Sequence, residues 1–332
     1  MRLRLTRPVR CAAILLLTML PGLAQNASLV GTVRDGQYAL VPSASVKLIN
    51  QLTGVSLATY TGESGAYAFP LVHPGTYALR IERFGFKTYE QRKIALTVDQ
   101  RARVDILLAI GDTSTFLSVE ENAGRVQIET ASLGEVIETK NVLELPLNGR
   151  YFLDLVRLTP GTTVQSTNNR VANNAAANIG PTGINASGAR EDSTNYLFDG
   201  INLSDMAQNQ ISFQPNIDMI QEFKVQIDAF SAEYGRNAGM IVNAVSRSGL
   251  NDFHGTGFEF IRNDALDARN YFDRSTSPVR PFKRNIFGYS FGGALIRNKT
   301  FFFTSYEGRQ GRESSSIRTL VPSAAQRASV TD

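Results

Sequence analysis

The stretch "NAVSRSGLNDFHGTGFEFIRND", Asn243 to Asp264, decides how the chain is read. From Phe253 onward it alternates. His254, Thr256, Phe258 and Phe260 stand against Gly255, Gly257, Glu259 and Ile261. A period of two is the mark of a strand. A strand in a soluble sandwich hides large apolar groups on one face and shows polar groups on the other. Here one face carries aromatics, and the other is mostly glycine with a carboxylate. A lipid-spanning strand has that character: roughly ten residues, apolar towards hydrocarbon and small or polar towards the lumen. A soluble sheet with an apolar core face alternates in the same way, so the pattern alone leaves both open.

Two further segments repeat the pattern downstream. In Asn285 to Ile296, Phe287, Tyr289 and Phe291 oppose Gly288, Ser290, Gly292 and Ala294. In Thr300 to Arg309, Phe302, Thr304 and Tyr306 oppose Ser305, Glu307 and Arg309, with Phe301 and Phe303 breaking the alternation at its start. The expectation is that the aromatic set of each strand faces lipid. The link Asn263 to Arg284 is long and polar, whereas Arg297-Asn298-Lys299 is a tight turn. Outer-membrane barrels have long external loops and short periplasmic turns. A first strand running outward from the periplasm satisfies that order. At most four strands fit after residue 250, whereas an outer-membrane barrel closes with at least eight. Lipid tolerates no unpaired strand edge. The reading is therefore an N-terminal fragment of a much longer protein, ending within a loop at "VPSAAQRASVTD".

Upstream, residues 111–250 mix short strands with helical spacing. "NVLELP" and "RYFLDLVRL" carry apolar residues at helical intervals, and Pro146 separates them. The tract "STNNRVANNAAANIGPTGINASG", Ser166 to Gly188, has few large apolar groups and reads as a mobile loop. "NYLFDGIN" reads as a strand entering a turn at Asp199-Gly200, where aspartate and glycine suit turn chemistry. Further back, "SLVGTVRD", "ASVKLIN", "GAYAFPLVHPGTYALRIERFGF", "RKIALTV" and "ARVDILLAI" are short strands with turn punctuation. They predict a small β-sandwich over about residues 25–110.

The first 24 residues read as a secretion signal: Arg2, Arg4, Arg7 and Arg10, the apolar run "CAAILLLTML", then "PGLA". The run is too short to span a bilayer, which takes about 20 residues. Cys11 lies inside it, so the exported chain has no cysteine for disulfides. The formal charge of +4 also resides there; the remainder carries 30 basic and 30 acidic residues. Nucleic-acid binding needs a concentrated basic footprint, which that balance denies.

Two resemblances follow from these motifs. The spacing of Gly31, Pro42, Gly54, Gly65-Ala66-Tyr67, Pro74-Gly75-Thr76-Tyr77 and Gly85-Phe86 resembles the carboxypeptidase regulatory-like domain, a non-catalytic transthyretin-like sandwich. "LPLNGRYFLDLVRLTPG", "SGAREDSTNYLFDGIN", "IQEFKVQIDAFSAEYGRNAGMIVNAVSRSG" and "FFFTSYEG" resemble the TonB-dependent outer-membrane receptors, in their Oar-like branch. The resemblance implies a mainly β chain: signal peptide 1–24, β-sandwich 25–110, α+β plug 111–250, and the first antiparallel strands of a transmembrane barrel, 251–332. It implies import of a large nutrient (siderophore, glycan or peptide) driven by a TonB-type inner-membrane complex. The other partners it implies are outer-membrane lipid and an extracellular ligand of unknown identity. It places the sandwich in the periplasm and the barrel in the outer membrane. The energy-coupling handle in such receptors is a short extended segment before the plug, engaged by strand addition. The candidate here is Thr115, Phe116, Leu117, Ser118, Val119 and Glu120. Asp199 and Gly200 match the plug's turn and are read as structural.

The same residues bear on two rival functions. A secreted or periplasmic β-sandwich binding or adhesion module, without transport, accounts for the sandwich but not for the later strands. An enzyme needs a nucleophile with base and orienter, or a metal with three ligands. The exported chain has only His73 and His254 and no Gly-x-Ser-x-Gly or His-Glu-x-x-His. No catalytic residue, metal or cofactor is expected.

Overall fold

The computed structural model describes residues 27–111, 116–119, 133–145, 147–164, 184–205, 209–228, 230–231, 233–235, 237–268, 281–313 and 323. The proposed signal peptide lies outside them. The chain divides into two compact units, Met1–Gly255 with Ser290–Ser305, and Thr256–Tyr289 with Tyr306–Asp332.

The sandwich comes first. Its strands are β1 (Ala27–Asp35), β2 (Ser45–Asn50), β3 (Ser56–Tyr60), β4 (Ala66–Val72), β5 (Gly75–Glu82), β6 (Thr88–Leu96), β7 (Arg101–Arg103) and β8 (Ile106–Leu108). One sheet has the order β4-β1-β7, with β8 also on β1. The other runs β3-β2-β5-β6 and ends on β9 (Phe116–Val119). Leu29, Leu48, Leu79, Ile81, Ile94 and Ile106 are buried between them. Each such side chain contributes about 1.5–3 kcal/mol by leaving water. The Tyr67 ring packs edge-on to Phe69, and its hydroxyl donates to the Val104 carbonyl at 2.7 Å. That bond gives the buried phenol a partner; burial, with Asp105 nearby, pushes its pKa well above the ordinary tyrosine value. Gly31 sits beneath it because a Cβ there would lie 1.9 Å from the same carbonyl.

The plug follows, with β10 (Leu133–Ile137), α1 (Thr139–Glu144), α2 (Leu153–Val156), β11 (Thr162–Val164), β12 (Ile184–Ala186), β13 (Asn195–Phe198), β14 (Ile201–Asn202), β15 (Ile220–Asp228) and β16 (Ile241–Ser246). Its main sheet has the order β10-β15-β16-β13-β14, parallel only between β13 and β16. The helices cover one face, where Phe152 meets Phe223 edge-on at 5.6 Å. The tract expected to be a loop differs at its end: Ile184, Asn185 and Ala186 form a wholly buried strand against Thr162–Val164. Small residues allow that burial, and the Asn185 carboxamide accepts a hydrogen bond from Thr163. The rest of that tract lies largely outside the described residues.

Three strands close the chain: β17 (His254–Asn263), β18 (Phe282–Ile296) and β19 (Thr300–Glu313), in that order in one sheet. Their register corrects one expectation. Phe287, Tyr289 and Phe291 share a face with Tyr306, as predicted, and Tyr289 stacks on Tyr306 at 6.2 Å. The aromatics of β17 do not join them. A Cβ on Gly288 would meet Phe258 Cζ at 2.7 Å, and one on Gly292 would meet His254 Cε1 at 3.3 Å. Phe258 and His254 therefore occupy the face of Gly288, Ser290 and Gly292, opposite Phe291. Gly255, in turn, makes room for the Phe291 ring. Glycine on one strand faces a ring on the next, so period two within each strand does not reveal which aromatic sets align. The buried Ser290 and Gly292 mark this face as inward, and Tyr289 and Phe291 are exposed on the other. Ser305, also on the inward face, accepts from the plug's Asn216 Nδ2 at 3.2 Å.

Candidate functional site

The most constrained polar site is the seam where the sandwich meets the plug. Strand β15 alternates Phe223, Val225 and Ile227 with Glu222, Lys224 and Gln226. The first set packs under the plug helices. An ordinary amphipathic strand would give the second set to water, yet all three are buried. The sandwich turn Val98–Gln100 covers them. The Val98 amide donates to Glu222 Oε1. Lys224 Nζ donates to the Asp99 carboxylate at 3.2 Å and to its carbonyl at 3.1 Å, and Gln226 Nε2 reaches the same carboxylate at 2.7 Å. Asp99 adopts φ 54°, a left-handed conformation that aspartate tolerates better than most residues. Tyr234 also bonds the Asp99 carboxylate; burial first, then Asp99 and Glu233, hold its phenol above the ordinary range. Gln221 Nε2 adds a bond to the Pro74 carbonyl at 3.2 Å. The join is thus built from charge-assisted hydrogen bonds, which fix geometry strictly.

A second contact ties the sandwich to the tight turn of the strands. Asn251 Nδ2 donates to the Thr53 carbonyl and to Asn298 Oδ1, both at 2.8 Å, while the Asn298 amide returns a bond to Asn251 Oδ1 at 2.9 Å. Asn298 has φ 61°, the conformation the turn demands. Inside the plug, Arg150 pairs with the buried Asp218, which also faces Arg247. Burial lowers the Arg247 pKa, and Asp218 opposes that shift. Nothing in periodicity marks these pairs. Their only sequence signal is a charged residue at an otherwise regular strand or turn position.

The expected site residues are distributed as follows. Phe116, Leu117, Ser118 and Val119 form β9, an edge strand running parallel to β6 with Phe116 opposite Thr88 and Val119 opposite Gln91. Thr115 and Glu120 lie outside the described residues. Asp199 (φ 48°) and Gly200 (φ 79°) fill the two central positions of the β13–β14 hairpin, where both must take positive φ. The Asp199 carboxylate also accepts from the Ser246 amide at 2.9 Å, tying the turn to β16. The coupling segment and the Asp199 turn lie on different elements, in the sandwich sheet and in the plug sheet. His73 is exposed, and its carbonyl accepts from Tyr77. His254 stacks on Phe303.

Comparison with known proteins matches these parts in order. Residues 28–109 match the carboxypeptidase regulatory-like domain, residues 130–241 the TonB-dependent receptor plug domain, and residues 245–331 the outer membrane beta barrel domain. The TonB-dependent transporter Oar of Myxococcus xanthus is 24% identical over 302 residues, covering 85% of this chain and 27% of its own length. This chain therefore spans about a quarter of that relative. The crystal structure of the siderophore receptor PirA from Acinetobacter baumannii aligns over 53% of this chain and 24% of its own, at 19% identity and a TM-score of 0.36. A putative carbohydrate binding protein from Bacteroides uniformis aligns over 25% of this chain and 41% of its own, at 22% identity and a TM-score of 0.22.

Proposed function

We propose that this chain, which carries the plug of the TonB-dependent receptors between a regulatory-like sandwich and the strands of an outer-membrane barrel, serves energy-driven import. The cargo is a large nutrient of the siderophore, glycan or peptide kind, and a TonB-type inner-membrane complex supplies the force. The observation that carries this reading is the passage from plug to strands. β16 leads through Gly249 into β17, and a Cβ on Gly249 would lie 2.3 Å from the Phe302 carbonyl and 2.5 Å from that of Gly293. The last stretch of the plug's backbone and the backbone of β18 and β19 are in direct contact there, which supports a plug seated against such strands. The signal peptide exports the chain, and the sandwich lies in the periplasm. Its contact with the tight Asn298 turn supports that placement, because short turns of such barrels are periplasmic.

Phe116–Val119 is the proposed handle. Strand addition needs an extended backbone at a sheet edge, and among the described residues β9 ends its sheet. Proline at 117 would remove an amide and clash with added pairing. Leu117→Pro is expected to abolish nutrient uptake while leaving outer-membrane level and surface ligand binding unchanged. Uptake at the parent rate would eliminate this segment as the handle. Uptake that persists without the inner-membrane complex would eliminate the importer reading itself.

A further inference from the structure

Phe116–Val119 is paired along its whole length. Phe116 to Val119 stand opposite Thr88 to Gln91 of β6 in parallel register. A pull entering those residues meets the inter-strand hydrogen bonds first. The chain beyond Val119 takes tension only after that ladder parts. While it holds, the force passes into β6.

Strand β6 ends at Leu96, and the turn that follows it is the one that covers β15. That turn is braced. The Gln100 carboxamide accepts from the Thr97 amide at 2.8 Å and from the Thr97 hydroxyl at 3.1 Å. The Gln100 amide donates to the Thr97 carbonyl at 3.1 Å, and the Gln100 carbonyl accepts from the Ser28 amide of β1 at 2.8 Å. Val98 and Asp99, held between them, make the bonds to Glu222, Lys224 and Gln226. Such directed, charge-assisted bonds transmit a displacement to the strand that bears them. That strand, β15, pairs with β10 on one side and β16 on the other.

The sandwich's second attachment lies at the opposite edge of the same sheet. In the order β3-β2-β5-β6-β9, the Thr53 turn joins β2 to β3, so its contact with Asn251 and Asn298 is remote from β9. A Cβ on Gly54 would lie 2.2 Å from Asn298 Oδ1, so glycine is what admits that contact. We propose that the sandwich is a lever. The handle pulls at β9, the Asn298 turn holds the far edge, and the Asp99 turn drives β15 of the plug. The proposal rests on β9 as the handle and adds the route by which its pull reaches the plug.

The test pulls on the whole receptor held in a lipid bilayer. Cys11 is the single cysteine of this sequence, so Cys11→Ser/Leu117→Cys gives one defined thiol for a DNA tether. A constant force is applied, and two quantities are read: the lifetime before the first extension and the length of chain released. Adding Lys224→Met/Asp99→Asn, which replaces both members of the buried pair, should shorten that lifetime about tenfold or more, because charge-assisted bonds are lost. Asp105→Asn, in the sandwich but off this route, should leave it unchanged. The parent lifetime in the seam variant would show that the pull bypasses the sandwich, and would overturn the proposal. So would a first extension matching only the chain between Val119 and Leu133, since the ladder would then part before the seam is strained. Equal shortening by Asp105→Asn would reduce the effect to general softening and overturn it as well. No nutrient or energy-transducing complex takes part. Failure here therefore leaves Phe116–Val119 standing as the handle, and uptake that survives Leu117→Pro leaves the mechanical result intact.

Discussion

At the scale of single residues, the seam depends on the Lys224–Asp99 pair. Removing one member of a buried pair leaves the other uncompensated, at about 3–5 kcal/mol, whereas replacing both is far milder. Lys224→Met should therefore lower chain stability by about that much in denaturant titration, and Lys224→Met/Asp99→Asn should recover most of the loss. A purely additive double mutant would show that the two do not interact. Asp105 gives a pH signature in the sandwich. Burial raises its pKa, but bonds from Thr32 and Arg103 outweigh this and leave it lowered. A lowered folded pKa contributes stability that is complete above the unfolded value and is lost as pH falls through the folded one. Acidification below about pH 4 should thus reduce the melting temperature. Asp105→Asn should remove that component while leaving the neutral-pH curve shifted only slightly, because the carboxylate is half-exposed. Asp99, Lys224, Arg150 and Asp218 were not legible beforehand. A charged residue on an alternating strand reads as solvated until another domain is seen to cover it.

At the scale of elements, strands and turns were largely legible, because alternation and glycine punctuation are local. β17, β18 and β19 lie where their alternation places them: β17 is shifted by one residue, β18 begins three residues earlier and β19 ends four residues later than expected. Alignment between strands was not legible, since it depends on register. This gives a sharp test. Phe291 points outward, so Phe291→Arg should cost about 2–4 kcal/mol if it sits near the bilayer centre, with a matching loss of assembled receptor. Phe258 lies on the inward face, and Phe258→Arg should assemble much better. Equal damage from both, read by detergent-resistant folding on gels, would contradict the register. Gly249 is an element-scale constraint too. Any side chain there collides with two carbonyl oxygens, which cannot rotate away as a flexible side chain could. Gly249→Ala should therefore sharply lower the yield of folded receptor, judged by the same assay.

At the scale of the whole molecule, the sandwich is fastened to the plug at β15 and to the strand turn at Asn298. Domain joins held by apolar contact slide, whereas one made of directed hydrogen bonds has a single fit. The amino-acid sequence by itself determined a mainly β chain and the order sandwich, plug and lipid-type strands. Those properties are periodic or compositional, and each is written within a few consecutive residues. Tertiary structure alone decided that the polar face of β15 is buried, that Ile184–Ala186 enters the plug core, that Phe116–Val119 pairs with β6, and that the rings of β17 face inward. Each of these depends on which distant segment lies opposite, a choice made by register and by the space that glycine leaves.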